Sequence, residues 1–429
     1  MRNLFLLVML FYTGNLFSQM KDDRLLEKLF TQNQDSVFRE VIAHPETYRY
    51  QVIYTQINRD KHNIPSFHNY YFKVDPKKYF YPASVVKMPL AFLSLEKLNH
   101  IGVSGVNKFT SLLIDSAYDF QTPALTDPTA QTGLPSIAQY IRKAFLVSDN
   151  DAYNRMYQFV TQQTINRSLH AKGYPNINIT RQFMRLTPAQ NRCTNPFRLV
   201  DTNGRVLYSE PAVCNTDSFD FSTPFLMGRA YLNWQDSLVN TPMDFTSHNY
   251  IPLADLQQIL QSVMFPGSVP ASRRFDLKKE DYDFLYQYLS QFPGETNFPK
   301  YNAAEYYDTY VKYFFNGNTH KEMPEGVRVF NKVGWSYGCL TDISYVVDFT
   351  HHIEYMLAAT VYVNEDQVLN DDKYEYEKTG LPFLYQLGQT IYRYERERKR
   401  KYMPDLSRFK MTYETRSRDE RPVLSGVAN

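Results

Sequence analysis

The sequence is poor in cysteine, in glycine-rich stretches and in net charge. Its 429 residues include three cysteines, which form neither a Cys-x-x-Cys pair nor a cluster with histidines, so no zinc site is predicted. The net charge of +2 gives no electrostatic reason to expect nucleic acid or a membrane surface as a partner. No glycine-rich nucleotide loop is present. We therefore expect neither a metal nor a cofactor.

Long hydrophobic runs are also scarce. Arg2 precedes a short apolar run that ends near Tyr12, and the small Ser18 is a suitable cleavage point. This pattern predicts a secretory signal peptide over residues 1–19, too short for a stable membrane span. No other stretch is apolar for long enough to cross a bilayer. We expect a mature protein that is secreted or periplasmic, has no membrane span and is a monomer.

The first of three short motifs that are present is Ser84-x-x-Lys87. The apolar pattern after Pro82 predicts a helix that begins close to Ser84, which places Lys87 one turn further on the same face. A helix N-terminus favours a developing oxyanion. The alternative interpretation of Ser84 is a simple N-cap. A second Ser-x-x-Lys, Ser94 to Lys97, lies about three turns deeper in that helix and lacks this advantage.

The second motif is Ser148-Asp149-Asn150, between predicted helices over residues 137–147 and 152–160. An ordinary turn with a capping Asp or Asn is the structural alternative. Ser247-His248-Asn249 is a second Ser-x-Asn, but only the first is followed by Asn154 in an extended Ser-Asp-Asn-x-Ala-x-Asn string.

The third motif is Lys332-Val333-Gly334, between strand-like segments at residues 327–330 and 341–347. A lysine on an edge strand is also commonly just solvated. Lys378-Thr379-Gly380 is the competing match, but it directly precedes an amphipathic helix and more simply marks a turn.

The order and spacing of these motifs resemble the serine β-lactamase and penicillin-binding protein superfamily, most closely the class A type. The resemblance implies that Ser84 is the nucleophile and Lys87 its base. A lysine acts as a base only if its pKa falls, through burial or a second cation nearby. Lys332 would be that cation, and Ser148 would relay the proton to the leaving group.

The same resemblance implies a substrate-binding set. Asn150 would hold the substrate amide, and the backbone amides of Ser84 and Trp335 would bind the oxyanion. Gly334, Trp335 and Ser336 would line the site along the third motif.

The implied fold is α+β: an α/β sandwich whose antiparallel sheet is flanked by terminal helices, plus an inserted all-α lobe. The sheet domain would comprise residues 20–83 and 325–401. The helical lobe would span residues 84–185. Residues 186–324 exceed what class A members carry, and we expect an added lobe or lid, with structural padding as the alternative. Residues 402–429 form a polar tail.

Two departures from the class A pattern concern the substrate. Class A members place a glutamate on a loop after the second motif to activate the deacylating water, whereas residues 178–187 contain no acid. Val333 replaces a hydroxyl residue, and Thr341-Asp342 stands where many members have an arginine. We therefore expect slow deacylation and weak recognition of ordinary β-lactams.

Cys193 and Cys214 bracket a predicted hairpin with Asn203-Gly204 in its turn, so a disulfide between them is expected in an oxidising compartment. Cys339 is expected to be a small buried apolar residue. The sequence contains 35 Tyr and 30 Phe, which can stack on sugars but are mostly expected in the core.

The functional hypothesis is an exported serine hydrolase with an acyl-Ser84 intermediate, which acts on a β-lactam or a related amide or ester. One alternative is a penicillin-binding-type peptidase or esterase with slow deacylation. The other is a non-catalytic relative that binds cell-wall fragments. In each case the partner is a small molecule or a peptidoglycan-like substrate.

Overall fold

A computed structural model describes residues 20–317, 321–415 and 424. The predicted signal peptide lies outside the described residues, as do residues 416–423 and 425–429 of the predicted polar tail. Residues 402–415 are described, and Leu406 and Phe409 are buried in the core, so this part of the chain is packed and not a frayed tail. Within the described ranges, no helix is both long and apolar enough to cross a membrane. The same part of the chain contains no group of three or more His, Cys, Asp or Glu side chains that could hold a metal ion.

The helices are numbered in chain order. They are α1 Arg24–Gln32, α2 Ser36–Ala43, α3 Pro45–Tyr48, α4 Lys87–Ile101, α5 Ile137–Leu146, α6 Asn150–Val160, α7 Gln162–Ala171, α8 Pro188–Asn191, α9 Leu253–Met264, α10 Lys279–Ser290 and α11 Leu381–Glu397.

The strands are numbered in the same way. They are β1 Gln51–Arg59, β2 Pro65–Phe72, β3 Ser111–Ile114, β4 Cys193–Thr194, β5 Phe197–Val200, β6 Val206–Glu210, β7 Val213–Cys214, β8 Leu226–Met227, β9 Ala230–Leu232, β10 Leu238–Val239, β11 Met243–Asp244, β12 Val327–Ser336, β13 Cys339–Asp348, β14 Ile353–Tyr362 and β15 Val368–Leu369.

One five-stranded antiparallel sheet, in the order β12-β13-β14-β1-β2, carries the architecture. Every residue of β13 and β14 is buried, as expected for central strands covered on both faces. Helices α1, α2 and α11 cover one face, and their apolar side chains form a single core with that face. The predicted α+β class, with terminal helices flanking an antiparallel sheet, is confirmed.

The helical lobe is built around α4, which packs against α5 and α6. Helix α4 is buried along almost its whole length, so it shows little amphipathic pattern. It ends at Gly102, whose positive φ of 64° is the left-handed geometry that glycine adopts at low cost. The lobe shares one core with the second face of the sheet.

The segment 186–324, expected to be one added lobe or lid, is divided by the structure. Its first part extends the helical lobe, because β5 pairs with β3 of that lobe. Its helices α9 and α10 instead pack on the sheet, α9 against β13 and β14 and α10 against β12. These two helices therefore close the core and do not form a lid.

The predicted hairpin and disulfide are both present. Strands β5 and β6 pair antiparallel around the Asn203-Gly204 turn, and Cys193 bonds to Cys214 across the short β4-β7 pair that flanks the hairpin. Cys339 is a buried free thiol whose sulfur accepts the Tyr81 amide at 3.4 Å. Burial raises the pKa of Cys339 to about 11, so this thiol stays protonated at neutral pH.

Candidate active site

Ser84 lies in a tight 3-10 turn, Ala83–Val86, that leads directly into α4. Val85 and Val86 are buried in the core, which fixes the turn and leaves the half-buried Ser84 facing a cleft. The preceding Ala83 has a φ of 44°, a conformation that costs energy for a residue other than glycine. Packing therefore holds Ser84 in a strained, defined position at the entry to the helix.

Lys87 occupies the first turn of α4 and points back at Ser84. Its Nζ donates to Ser84 Oγ at 2.8 Å and to Asn150 Oδ1 at 2.8 Å, and it also contacts Ser148. The side chain is completely buried. Burial lowers the pKa of Lys87 to about 7, against the opposing charge of Asp149. A substantial fraction of Lys87 is therefore a neutral amine near pH 7.

The second motif forms the turn between α5 and α6. Ser148 has a φ of 62°, and Asp149 caps α6 by accepting the Ala152 amide at 2.8 Å. Ser148 Oγ and Asn150 Oδ1 both reach Lys87. The capping interpretation and the active-site interpretation therefore hold together: Asp149 builds the turn, and its two neighbours face the cleft.

Lys332 lies on β12, the edge strand beside the Ser84 turn. Its Nζ donates to Ser148 Oγ at 2.9 Å and to the Val333 carbonyl at 2.8 Å. Lys332 is only 1% exposed, so it is not a solvated lysine on an edge strand. Burial, and secondly the charge of Lys87, hold the pKa of Lys332 well below its usual range.

Gly334 sets how closely β12 approaches the nucleophile. A Cβ at this position would lie 2.5 Å from the Pro82 carbonyl oxygen and 3.1 Å from the Ser84 amide nitrogen. Any side chain would push the strand and the turn apart. Glycine therefore allows the β12 backbone, which continues to Trp335, to come next to the Ser84 amide.

The competing motif matches have structural partners elsewhere. Ser94 Oγ donates to the Leu90 carbonyl within α4, and Lys97 pairs with Glu210 at 2.6 Å. Asn249 Oδ1 accepts backbone amides of the loop after α7. Lys378 is exposed and pairs with Glu365 in the turn before α11. None of these side chains contacts Ser84.

A cleft of about 400 Å³ opens over Ser84. Among the predicted residues, its walls include Ser84, Ser148, Asn150, Gly334, Trp335 and Ser336. Lys87 and Lys332 lie beneath them through the hydrogen bonds described above. The structure thus brings together all eight residues that the sequence singled out.

Aromatic side chains that the sequence interpretation assigned to the core line most of the remaining wall. They are Tyr81, Phe183, Tyr310, Tyr313, Tyr337, Tyr374 and Tyr376. The sequence signal was the tyrosine-rich stretch between residues 301 and 315. The pattern of residues within this stretch does not distinguish tyrosines that line a cleft from tyrosines in the core. The residues that form the cleft with them are distant in the sequence.

Phe183 occupies the place next to Lys87 on the loop after α7. Its amide donates to Asn154 Oδ1 at 2.8 Å, and its ring stacks on Tyr153 and lies 5.3 Å from Lys87 Nζ. The only carboxylate in the described lining of the cleft is Asp372. The loop therefore presents an apolar ring, and not an acid, to Lys87.

The pKa of Lys87 gives a pH prediction for acylation of Ser84. Only the neutral amine can take the serine proton, so the rate should rise with pH through about 7 and level off above about 8. Each unit below the transition should cost about tenfold in rate. Intact-mass spectrometry of samples quenched at successive times, at pH values from 5 to 9, would measure this acylation rate. A rate that is flat over that range would contradict Lys87 as the base.

Removal of Lys332 tests the edge-strand assignment. Lys332→Ala should slow acylation by about tenfold to a thousandfold, because Ser148 Oγ loses a hydrogen-bond donor in the proton path. Lys378→Ala is the matched control, since this exposed lysine pairs only at the surface, and it should change the rate by less than about twofold. The reverse outcome would assign the third motif to residues 378–380.

Residues 38–212 match the model of a family described as the Beta-lactamase enzyme family. This range contains the first two motifs and ends before the third, and it covers fewer than half of the 429 residues. No curated protein matches the chain. The family match confirms the resemblance drawn from the motifs.

Several solved structures are similar to this chain. A β-lactamase from Sphaerobacter thermophilus has 14% identity, with 86% of this chain and 99% of that chain covered and a TM-score of 0.42. A β-lactamase from Burkholderia ambifaria has 12% identity, coverages of 82% and 98%, and a TM-score of 0.43. A mutant of PBP-A in an acyl-enzyme complex with penicillin G has 14% identity, coverages of 86% and 97%, and a TM-score of 0.43.

Proposed function

We propose, on the premise that this chain is a serine hydrolase similar to the serine β-lactamase and penicillin-binding protein superfamily, that it forms an acyl-Ser84 intermediate. The substrate is a β-lactam or a related amide or ester, and Lys87 is the base. One observation carries the proposal. Lys87 Nζ is completely buried, has a pKa lowered to about 7, and lies 2.8 Å from Ser84 Oγ.

The proton path follows from the same contacts. Neutral Lys87 accepts the Ser84 hydroxyl proton as Oγ attacks the carbonyl carbon. Ser148 Oγ lies 3.2 Å from Lys87 Nζ and 2.9 Å from Lys332 Nζ, so it can pass a proton between the lysines and the leaving group. The leaving nitrogen or oxygen takes that proton as its bond to the carbonyl carbon breaks. Lys332 stabilises the hydroxyl during the transfer.

The oxyanion that forms at the carbonyl would be held by backbone amides. The Ser84 amide lies at the start of a helix-forming turn, where the dipole favours negative charge. The close approach allowed by Gly334 supports Trp335 as the second donor. Asn150, which also lines the cleft, would hold a substrate amide.

Slow deacylation is the second part of the proposal, and Phe183 favours it. Hydrolysis of the acyl-enzyme needs a base that activates water on the exposed side of the ester. Phe183 presents a ring there, and Asp149 is engaged by the α6 cap and by Lys143 at 3.6 Å. We therefore expect a β-lactam acyl-enzyme to persist, as in a penicillin-binding-type acyltransferase.

Export is part of the same proposal. It is supported by the signal-peptide pattern of residues 1–19 and by the disulfide between Cys193 and Cys214, because such bonds persist in oxidising compartments. A peptidoglycan-like amide would be the natural substrate available there.

A time course with benzylpenicillin tests the function. Intact-mass spectrometry should show one adduct per chain that persists while little free drug is consumed. A transient adduct with rapid drug consumption would contradict the slow-deacylation part alone. Absence of an adduct with penicillin and with simple activated esters would contradict the proposed function and favour a binding relative.

A further inference from the structure

Five aromatic residues form one continuous side of the cleft, which we call the aromatic wall: Tyr310, Tyr313, Trp335, Tyr374 and Tyr376. Trp335 is at its centre. Its ring is parallel to Tyr313 and Tyr376, within 7° and 17°, with both centroids 6.4 Å away. Trp335 remains 36% exposed and lines the cleft, so part of its ring is open to a ligand and is not buried in the core.

Buried polar contacts fix the wall from behind. Lys312 lies between Tyr310 and Tyr313 in the sequence and is 1% exposed. Its Nζ donates to the Leu289 and Val329 carbonyls and to Asn331. The Tyr313 amide donates to the buried carboxylate of Asp342 at 3.0 Å. A buried lysine with three acceptors is costly to displace. The segment that carries Tyr310 and Tyr313 is therefore held rigidly beside β12.

The other end of the wall is fixed by main-chain donors. The Gly338 amide donates to Tyr376 Oη at 2.9 Å, and the Asn370 amide donates to Tyr374 Oη at 2.7 Å. Both tyrosines belong to the segment between β15 and α11. The wall is thus preorganised from three separate segments, as a recognition surface requires.

The charges around the cleft do not favour an anionic group. Among the described residues that line it, the only acidic side chain is the exposed Asp372, and no lysine or arginine is present. Burial disfavours the charged forms of Lys87 and Lys332 beneath the floor. Arg181 is near Tyr81 and Tyr337 but is not part of the lining.

Asp342 is likewise unavailable to a substrate in the cleft. It is completely buried and turned away to bind Asn331, Ser344 and the Tyr313 amide, so it anchors the wall and offers no contact to a substrate. Val333 contributes an apolar surface to the lining. A carboxylate in this cleft would lose its hydration without gaining a cation.

We propose that the aromatic wall selects acyl donors whose group beside the scissile bond is an uncharged ring, and that Asp372 disfavours a carboxylate there. The inference rests on the proposed acyl-Ser84 chemistry and specifies its substrate class. A ring on this group stacks against Trp335 and its neighbours, while a negative charge meets the field of Asp372.

Three forms of one β-lactam test the selection: benzylpenicillin as the free acid, its methyl ester and its benzyl ester. Initial rates of adduct formation on the whole protein should rank benzyl ester, methyl ester, free acid, with about twentyfold or more between the first and last and about tenfold between the two esters. A free acid that reacts as fast as the esters overturns this inference and leaves the proposed function standing. No adduct with any of the three overturns both.

Two variants separate recognition from folding. Trp335→Ala keeps the backbone amide and should remove most of the preference for the benzyl over the methyl ester, about tenfold. Trp234→Ala, at the second tryptophan, which is 72% exposed and outside the cleft, is the matched control and should keep that preference. Equal effects of both variants would overturn the role of the wall.

Asp372→Asn tests the charge. It should raise the rate with the free acid relative to the benzyl ester by about two- to fivefold, because the carboxylate is exposed and partly screened by solvent. The gain should shrink in high salt. An unchanged ratio of the two rates would overturn the contribution of Asp372.

Discussion

Ser84→Ala is expected to abolish formation of the covalent acyl-enzyme while the protein stays folded. The change removes the only atom that we assign to attack on the carbonyl, so the rate should fall by about 10⁴-fold or more. Lys87 keeps its contacts to Ser148 and Asn150, and Ser84 itself is half-buried at the cleft. Thermal unfolding should therefore change little, and intact-mass spectrometry should detect no adduct.

Ser94→Ala is the matched control for that result. Ser94 lies in the same helix and belongs to the competing Ser-x-x-Lys, but its hydroxyl is buried against the Leu90 carbonyl. Acylation should proceed at close to the normal rate. Loss of acylation in Ser94→Ala together with its retention in Ser84→Ala would show that Ser94, and not Ser84, is the nucleophile.

Lys87→Met is expected to slow acylation by about 10²- to 10⁴-fold, the range for loss of a general base. Methionine fills much of the same buried volume, so packing around α4 is largely kept. The residual rate should also lose the pH transition near 7, since the titrating amine is gone. Single-turnover acylation measured from pH 5 to 9 checks both points.

Lys97→Met is the matched control for Lys87→Met. It shows whether the loss of a lysine from the same helix affects acylation or only the stability of the fold. Lys97 is also on α4 and largely buried, but it pairs with Glu210 and the Phe159 carbonyl. Its loss should lower the free energy of unfolding modestly, because half-buried Glu210 loses its ion pair and the Phe159 carbonyl loses a donor, yet acylation by the folded protein should remain near normal. If both lysine variants lost acylation equally, Lys87 would be a structural residue.

The parts of the site that could be predicted are those set by local geometry. Ser84 and Lys87 are three residues apart on one helical turn, so the apolar pattern of that helix already predicts their contact. Lys332 could be selected over Lys378 because strand patterns flank the first and a helix follows the second. The predicted hairpin between Cys193 and Cys214 depended on a local turn in the same way.

The parts that could not be predicted depend on long-range packing. Phe183, Tyr310 and Tyr376 reach the cleft because separate segments fold against β12, and no periodicity in their own neighbourhoods encodes that meeting. Helix α9 shows the same limit. Its apolar pattern predicts a helix from Leu253, but not that this helix packs against strands β13 and β14 of the sheet.

The electrostatic features of the site agree with one another. Two buried lysines share Ser148. Burial lowers the pKa of Lys87 and so favours a neutral base beside Ser84, while burial and the charge of Lys87 lower the pKa of Lys332. The ring of Phe183 lies 5.3 Å from Lys87 Nζ and offers no base for water, which supports the proposal of slow deacylation.

The most direct test of this account is to locate the adduct. The protein is incubated with the benzyl ester of benzylpenicillin at about pH 8, where Lys87 is mainly neutral, then digested and sequenced by tandem mass spectrometry. The account predicts that the mass of the intact β-lactam is added to the peptide that contains Ser84, on the serine itself. An adduct confined to another residue, or none on Ser84 while the drug is consumed, would contradict it.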